Sequence, residues 1–218
     1  MPTDPVRVVC FDWGGVIVRI CRTWREAAER AGLPVHESID RPDLDARRQA
    51  ASFEHQLGRI DAPTFFARIA EATDGAYSVP DVERIYRAWL IEEYAGVGEV
   101  IDCLCAHDAV RTGLLSNTNE VHCRRHLPRN GSPAEFPTIG RLHHRVFSHE
   151  VGLAKPDPAI YRAFEEECGV AGPRILFFDD LEANIEAARA IGWRAEQIDH
   201  AGDTAEQIER HLIAHRVW

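Results

Sequence analysis

The sequence predicts an α/β fold: a doubly wound parallel-sheet core with a helical cap inserted after the first strand. Three apolar runs share one design, Val8-Val9-Cys10-Phe11 before Asp12, Gly113-Leu114-Leu115 before Ser116-Asn117, and Ile175-Leu176-Phe177-Phe178 before Asp179-Asp180. Such short continuous runs suit strands buried on both faces. Helical patterns alternate with them, which favours a parallel sheet with helices on both sides. Residues 20 to about 95 break the alternation and read as helix only.

In chain order, Val8–Phe11 is the first strand. Four helical segments follow: Thr23 to Ala31, Leu44 to Leu57, one capped by Asp61-Ala62-Pro63, and Asp81 to Tyr94. Gly32-Leu33-Pro34, Gly58 and Asp74-Gly75 punctuate them. Trp24, Phe65, Phe66, Tyr86 and Trp89 read as cap core by spacing, with substrate contact as the other reading. Glu92-Glu93 reads as a solvated helix face near the hinge. The division is therefore core 1–19 and 96–218, and cap 20–95.

Val100, Ile101, Leu104 and Cys105 form a helical stripe before the second strand. Pro128 to Gly140 reads as a surface loop, and Arg145–Ser148 and Arg194–Ile198 as short strands. Asp157-Pro158 opens a helix with an N-cap and a first-turn proline. Its stripe is Ile160, Tyr161, Phe164 and Cys168, and Gly169 ends it. Ile185, Ala188 and Ile191 mark the next helix, and Ile208, Leu212 and Ile213 the last.

The 218 residues carry 25 Lys+Arg against 35 Asp+Glu, a net charge of −10, with 45% hydrophobic residues. One core plus one inserted unit fits this length. The negative balance argues against nucleic acid as a partner. No apolar run approaches the ~20 residues of a membrane helix. Met1 to Pro5 lacks the basic and apolar pattern of a secretory leader. Six scattered cysteines without a Cys-x-x-Cys pair read as reduced thiols, giving a cytoplasmic expectation. Either a monomer or a homodimer is compatible.

Polar residues end each strong strand, at the edge where open parallel sheets bind ligands. Asp12 before Trp13-Gly14-Gly15 can attack an electrophile, bind a metal, or simply cap the turn. Trp13 faces the cap or substrate, or packs internally. Ser116-Asn117-Thr118-Asn119 can hold phosphate or carboxylate oxygens, or form an ordinary turn. Lys155, stiffened by Pro156 and Pro158, can neutralise a carboxylate or phosphoryl group, or be a solvated lysine. Adjacent Asp179 and Asp180 repel unless a hard cation joins them, the alternative being a helix cap. Asn184 lies one turn beyond and can bind a metal-bound water. His122, His126 and Cys123, with His143, His144 and His149 nearby, are compatible with zinc in an Arg-rich, loop-like setting.

The order Asp, Ser-Asn, Lys-Pro, Asp-Asp resembles the haloacid-dehalogenase-like hydrolase superfamily. The resemblance rests on Phe11-Asp12-Trp13-Gly14-Gly15-Val16, Leu115 to Asn119, Gly152 to Asp157, and Phe178 to Asn184, and spans nearly the whole chain. The Ser-Asn-Thr-Asn and Phe-Phe-Asp-Asp stretches and the cap are similar to the alpha-D-glucose-1-phosphate phosphatase subgroup. The resemblance implies a Rossmann-like core and an Mg²⁺-dependent phosphatase acting on a small phosphorylated substrate through an aspartyl-phosphate. It implies Asp12 as nucleophile and metal ligand, the Gly14 carbonyl as a ligand, and Asp179 and Asp180 completing the metal site. Ser116 and Asn117 would hold phosphoryl oxygens, with Trp13, Gly14 and Asn119 lining the substrate site. Lys155 would neutralise both Asp12 and the phosphoryl group.

One position departs from the superfamily pattern. Most of its phosphatases carry a second Asp two residues after the nucleophile, as general acid and base, and Gly14 stands there. Loss of such help costs ~10²–10⁴-fold in rate. An acidic leaving group such as the anomeric oxygen of a sugar 1-phosphate would reduce the need for it. Gly14 is also compatible with a 2-haloacid dehalogenase, which needs no metal, and with a catalytically silent binding protein.

Overall fold

The computed structural model describes residues 4–218. Met1 to Thr3, part of the segment read for a secretory leader, lie outside the described residues.

The core is a five-stranded parallel sheet in the order β5-β4-β1-β6-β7. Its strands are β1 (Val8–Phe11), β4 (Arg111–Ser116), β5 (His144–Phe147), β6 (Ile175–Asp179) and β7 (Arg194–Gln197). β1 lies in the middle, with Phe11 opposite both Leu114 and Phe178. That register brings the ends of β1, β4 and β6 to one edge. Successive side chains of β1 point to opposite faces. Val9 and Phe11 pack with α5 (Val97–Cys105) and α10 (Thr204–Ala214) through Ile101, Leu104, Ile208 and Leu212. Val8 and Cys10 pack with α8 (Pro158–Cys168) and α9 (Glu182–Ala190) through Ile160, Phe164, Ile185 and Ala188. Gly113 is fixed by this packing: a Cβ there would meet Phe164 Cζ at 2.4 Å.

Between β1 and α5 the chain forms a second sheet and the helical insert. β2 (Val18–Ile20) pairs antiparallel with β3 (Leu90–Glu93). Between them lie α1 (Trp24–Arg30), α2 (Pro42–Gln56), α3 (Ala62–Glu71) and α4 (Val79–Ala88). Thr23, Asp61 and Ser78 cap α1, α3 and α4, and Ser78 forms a reciprocal capping box with Asp81. The insert has its own apolar cluster, including Ala27, Phe65, Ile69, Val82 and Ile85. Arg48 is fully buried there, donating to the carbonyls of Ala72 (2.9 Å) and Ile39 (2.6 Å). Two short helices complete the fold, α6 (Glu120–Cys123) after β4 and α7 (Ser148–Val151) after β5.

The structure corrects three sequence expectations. The helix expected over Asp81 to Tyr94 ends at Ala88, and Leu90–Glu93 is strand. β2 leaves backbone donors and acceptors that only a partner strand satisfies, so pairing overrides the local helical pattern. Glu92-Glu93 is accordingly not a helix face, and Glu93 accepts bonds from the Thr138 N–H (2.9 Å) and hydroxyl (2.6 Å). The segment Pro128 to Gly140 is not wholly surface loop, because Phe136, Thr138 and Ile139 are buried. Trp13 meets Phe136 edge-on at 6.2 Å, which draws that segment inward.

His55 on α2 is 2% exposed, stacks on Phe65 at 4.3 Å, and has no hydrogen-bond partner at either ring nitrogen. Burial lowers its pKa from 6.5 to about 4. The unfolded chain therefore binds a proton that the folded chain refuses as pH falls from about 6.5 towards 4. At pH 5 this one ring should cost roughly 2 kcal/mol of stability relative to pH 8. His55→Phe removes the titration while keeping a ring against Phe65. Denaturant unfolding at the two pH values should show the acid loss shrink by about that amount. An unchanged pH dependence in the variant would refute this account.

Candidate active site

Asp12 follows β1 directly, and its N–H donates to Phe178 O at 2.8 Å, holding the loop beside β6. Carboxylate oxygens of Asp12, Asp179 and Asp180 lie within 4.8 Å of one another. All three residues are buried. Lys155 Nζ sits 2.9 Å from Asp12 Oδ1 and donates to Asp179 Oδ2 at 2.6 Å. The contact to Asp12 is an ion pair without good hydrogen-bond alignment, so Asp12 Oδ1 has no aligned hydrogen-bond partner among the described residues.

Burial drives the Asp12 carboxyl up, Lys155 opposes it, Asp179 and Asp180 reinforce it, and the balance stands at about 7. Burial alone would depress the Lys155 ammonium, but Asp12 and Asp179 hold it above its ordinary value. The lysine is thus a fixed positive charge against a carboxylate that is costly to ionise.

Asp179 is almost fully engaged. Its Oδ1 accepts from Leu181 N (2.8 Å), and the Asn184 amide lies 2.9 Å from both its oxygens. Asn184 therefore orients Asp179 instead of facing outward to a metal-bound water. Asp180 turns the other way. Its Oδ2 pairs with Arg22 at 2.7 Å, and its backbone carbonyl accepts from Gln197 Nε2 at 3.0 Å.

The Ser-Asn-Thr-Asn turn reaches the same edge. Ser116 ends β4 and lines the cavity beside the carboxylates. The side chain of Asn117 clamps the backbone of Lys155: Nδ2 donates to Lys155 O (2.9 Å) and Oδ1 accepts from Lys155 N (2.8 Å). Asn119 Oδ1 caps α6 by accepting from the N–H groups of Val121 and His122, each at 3.1 Å. Its Nδ2 donates to the Tyr86 hydroxyl at 2.6 Å, joining the core loop to the insert. Thr118 N donates to Ser148 Oγ at 2.9 Å, and Ser148 Oγ donates to Gln56 O at 2.7 Å, a second such link.

Gly15 has φ +84°, and a Cβ there would lie 2.5 Å from the Asp180 carboxylate. Glycine is therefore what admits Asp180 beside Asp12. At Gly14 a Cβ would meet Ile20 Cδ1 at 3.1 Å, so a hydrocarbon side chain borders the place where the superfamily's second Asp would project. Trp13 is 2% exposed and belongs mainly to the core, with an edge on the cavity.

A cavity of about 880 Å³ lies beside the carboxylates, between core and insert, and Asp12, Lys155, Asp179 and Asp180 are not among its lining residues. Its floor includes Trp13, Gly14, Ser116 and Asn117. Its upper wall carries Arg22, Arg25, Gln49, Ser52 and Gln56 with the faces of Trp24 and Trp89. Those tryptophans pack edge-to-face at 5.4 Å and are only partly buried, whereas Phe65, Phe66 and Tyr86 are buried in the insert. Sequence reasoning missed Arg22 and Ser148. Arg22 stands among Arg19, Arg25 and Arg30 with no local mark, and its partner Asp180 is 158 residues away. Ser148 had a weak signal in its place at the end of a predicted strand.

A buried lysine between carboxylates at the carboxyl edge of a parallel sheet, beneath a helical insert, is a hydrolase-like arrangement. The sequence model of haloacid dehalogenase-like hydrolases matches residues 6–192, and the chain belongs to that family. Phosphatase MT3486 of Mycobacterium tuberculosis (strain CDC 1551 / Oshkosh) is 43% identical over 103 residues, covering 47% of this chain and 45% of that protein. The D-ribitol-5-phosphate phosphatase of Bacteroides thetaiotaomicron is 22% identical over 208 residues, covering 93% of this chain and 97% of that one. Among solved structures, HAD family enzyme bt-2542 of Bacteroides thetaiotaomicron superposes with a TM-score of 0.75 at 20% identity, covering 94% and 99% of the two chains. The same enzyme in complex with magnesium and inorganic phosphate superposes with a TM-score of 0.71 at 20% identity, over 93% and 98%. Among the described residues no helix is long and apolar enough to cross a membrane.

Proposed function

We propose that the chain is an Mg²⁺-dependent phosphatase of small phosphomonoesters, sugar phosphates in class, working through a phosphorylated Asp12. The observation that carries this is Lys155 Nζ, buried between Asp12 and Asp179 with Asp180 in reach. Curated relatives with phosphatase names and the bt-2542 complex support the same reading.

The residues present fit a hard divalent cation. Among the described residues three buried carboxylates face only two cationic partners, Lys155 and Arg22, and Asp12 Oδ1 lacks an aligned hydrogen bond. Asp12, Asp180 and the Gly14 carbonyl would hold the ion. Asp179 lies at its margin, because hydrogen bonds from Lys155, Leu181 and Asn184 already engage its oxygens. Bound there, magnesium would neutralise charge on the transferring group.

Asp12 attacks phosphorus in line as the bond from phosphorus to the alcohol or anomeric oxygen breaks, and water then hydrolyses the aspartyl-phosphate, releasing inorganic phosphate and restoring the carboxylate. Lys155 keeps the carboxylate ionised and offsets phosphoryl charge. Ser116 and the backbone of Asn117 bind phosphoryl oxygens, with the Asn117 amide fixing Lys155. Trp13, Gly14 and Asn119 shape the floor, and the insert closes over it to exclude water. With Gly14 in place of a second Asp, the substrate has a good leaving group, as in a sugar 1-phosphate. The cysteines, all free thiols, support a cytoplasmic setting.

The test is a phosphate-ester panel with and without Mg²⁺ that includes sugar 1-phosphates, 6-phosphates and ribitol 5-phosphate. Turnover that needs Mg²⁺ and favours 1-phosphates is expected. A clear 6-phosphate preference would remove the leaving-group argument. Chloride release from a 2-haloacid that survives EDTA would replace the phosphatase reading altogether.

A further inference from the structure

The histidine-rich stretch from 122 to 149 does not gather as one group. His122 turns into the insert, with Nε2 3.0 Å from Tyr86 O and its ring stacked on Tyr86 at 4.2 Å. His143 contacts Thr112, and His144 lies 3.6 Å from Glu167. Two members of the stretch instead converge with a residue outside it. Cys123, His149 and Glu150 each offer a ligand atom within 4.8 Å of the others.

Cys123 ends α6, and His149 and Glu150 lie on α7. These are the short helices that follow β4 and β5, so the group bridges the loops that lead from Ser116 and to Lys155. Three features mark it as more than chance proximity. The Cys123 side chain is buried at 7% exposure, and its sulfur lies at the long distance of 4.0 Å from His126 Nδ1. His149 Nδ1 is shielded from solvent and has no aligned hydrogen-bond partner among the described residues, though the Thr118 backbone lies near the ring. Glu150 is exposed and adds a carboxylate at the open side.

We propose that Cys123, His149 and Glu150 form a zinc site, separate from the three aspartates, that ties α6 to α7 beneath the catalytic loops. Sulfur, imidazole and carboxylate are the donor types zinc prefers, with bonds of about 2.3 Å to sulfur and about 2.0–2.2 Å to nitrogen and oxygen. Tetrahedral ligand atoms then stand about 3.3–3.7 Å apart, so the observed spread closes by little more than an ångström. Water completes the fourth position at the exposed side. Binding exchanges the thiol proton for the metal: the S–H bond breaks, the S–Zn bond forms, and one proton passes to solvent. Metal affinity rises with pH, because the thiol proton must leave.

The full-length protein, stripped with EDTA and saturated with Mg²⁺ to hold the aspartate site, is titrated with Co²⁺ and then with Zn²⁺. A thiolate-to-cobalt charge-transfer absorption that saturates at one equivalent and is abolished by Zn²⁺ is expected. It should persist in Asp12→Asn, disappear in Cys123→Ser, and need at least tenfold more metal in His149→Ala and Glu150→Gln. His143→Ala should titrate like the native chain. Zn²⁺ should also raise the thermal midpoint of the native chain and not of His149→Ala, which guards against misfolding of the cysteine variant. Absence of thiolate absorption in the folded native chain would overturn the proposal. So would equal metal affinity in the native chain, His149→Ala and Glu150→Gln.

Discussion

Asp12→Asn should abolish phosphate-ester turnover, by roughly 10³-fold or more, and leave the protein folded. The two side chains are nearly isosteric, so the packing beside Phe178 is kept. The amide is a poor nucleophile and cannot form the aspartyl-phosphate. Stability should hold or rise. In the native chain Asp12 is an acid that burial and two neighbouring carboxylates make costly to ionise, with Lys155 as the opposing charge. A neutral side chain removes that cost. Two measurements check this together: steady-state hydrolysis with Mg²⁺, and a rapid quench with labelled substrate that traps label on the protein. Label retained on the asparagine variant would remove Asp12 from its role.

Lys155→Met should be the more damaging change to the molecule as a whole. It keeps the length and apolar stem of the side chain and deletes the ammonium. Asp179 then loses its shortest ionic partner, and Asp12 loses the only cation within 4.0 Å among the described residues. Breaking a buried charge pair in this way costs about 3–5 kcal/mol. In metal-free buffer the thermal midpoint should fall most at alkaline pH. It should recover as acidification protonates the carboxyls, since the uncompensated charge is then removed. Turnover should drop at least about 100-fold, the scale of a lost electrostatic stabiliser. A variant as stable and as active as the native chain would show that the ammonium neither balances the carboxylates nor serves the reaction.

The parts of this molecule that were legible in the sequence are those whose physics is local. β1, β4 and β6 announce themselves because strands buried on both faces must be apolar throughout, and polar residues mark where each one stops. Helices with a capping residue and a first-turn proline, such as α3 and α8, were equally plain. β2 and β3 were not. β2 has three residues, and β3 extends the stripe of α4 without a break in composition. Only their pairing across some 70 residues of chain makes either a strand. Asp12, Asp179 and Asp180 are marked in the sequence by their positions at strand ends, and Lys155 by its flanking prolines. Their bonding is not, because the amides of Asn117 and Asn119 are directed by partners, the Lys155 backbone and Tyr86, that sequence proximity does not supply. Arg22 stayed hidden for the same reason.

The narrow β2–β3 ribbon has a practical corollary. Ile20 stands opposite Leu90, so the chain leaves for the insert and comes back at neighbouring points. A segment whose two ends are adjacent can be excised and bridged by a tight turn, or exchanged for a foreign module, without disturbing the order of the five core strands. Several seams would need to be rewritten in any such graft, among them the Tyr86 hydroxyl on Asn119, the Tyr86 carbonyl on His122, the Gln56 carbonyl on Ser148, Arg22 on Asp180 and the Arg87 contacts with Glu135 and Arg125. Exchange of the insert would thus replace the upper wall of the cavity while Asp12, Lys155, Asp179 and Asp180 stay with the recipient core.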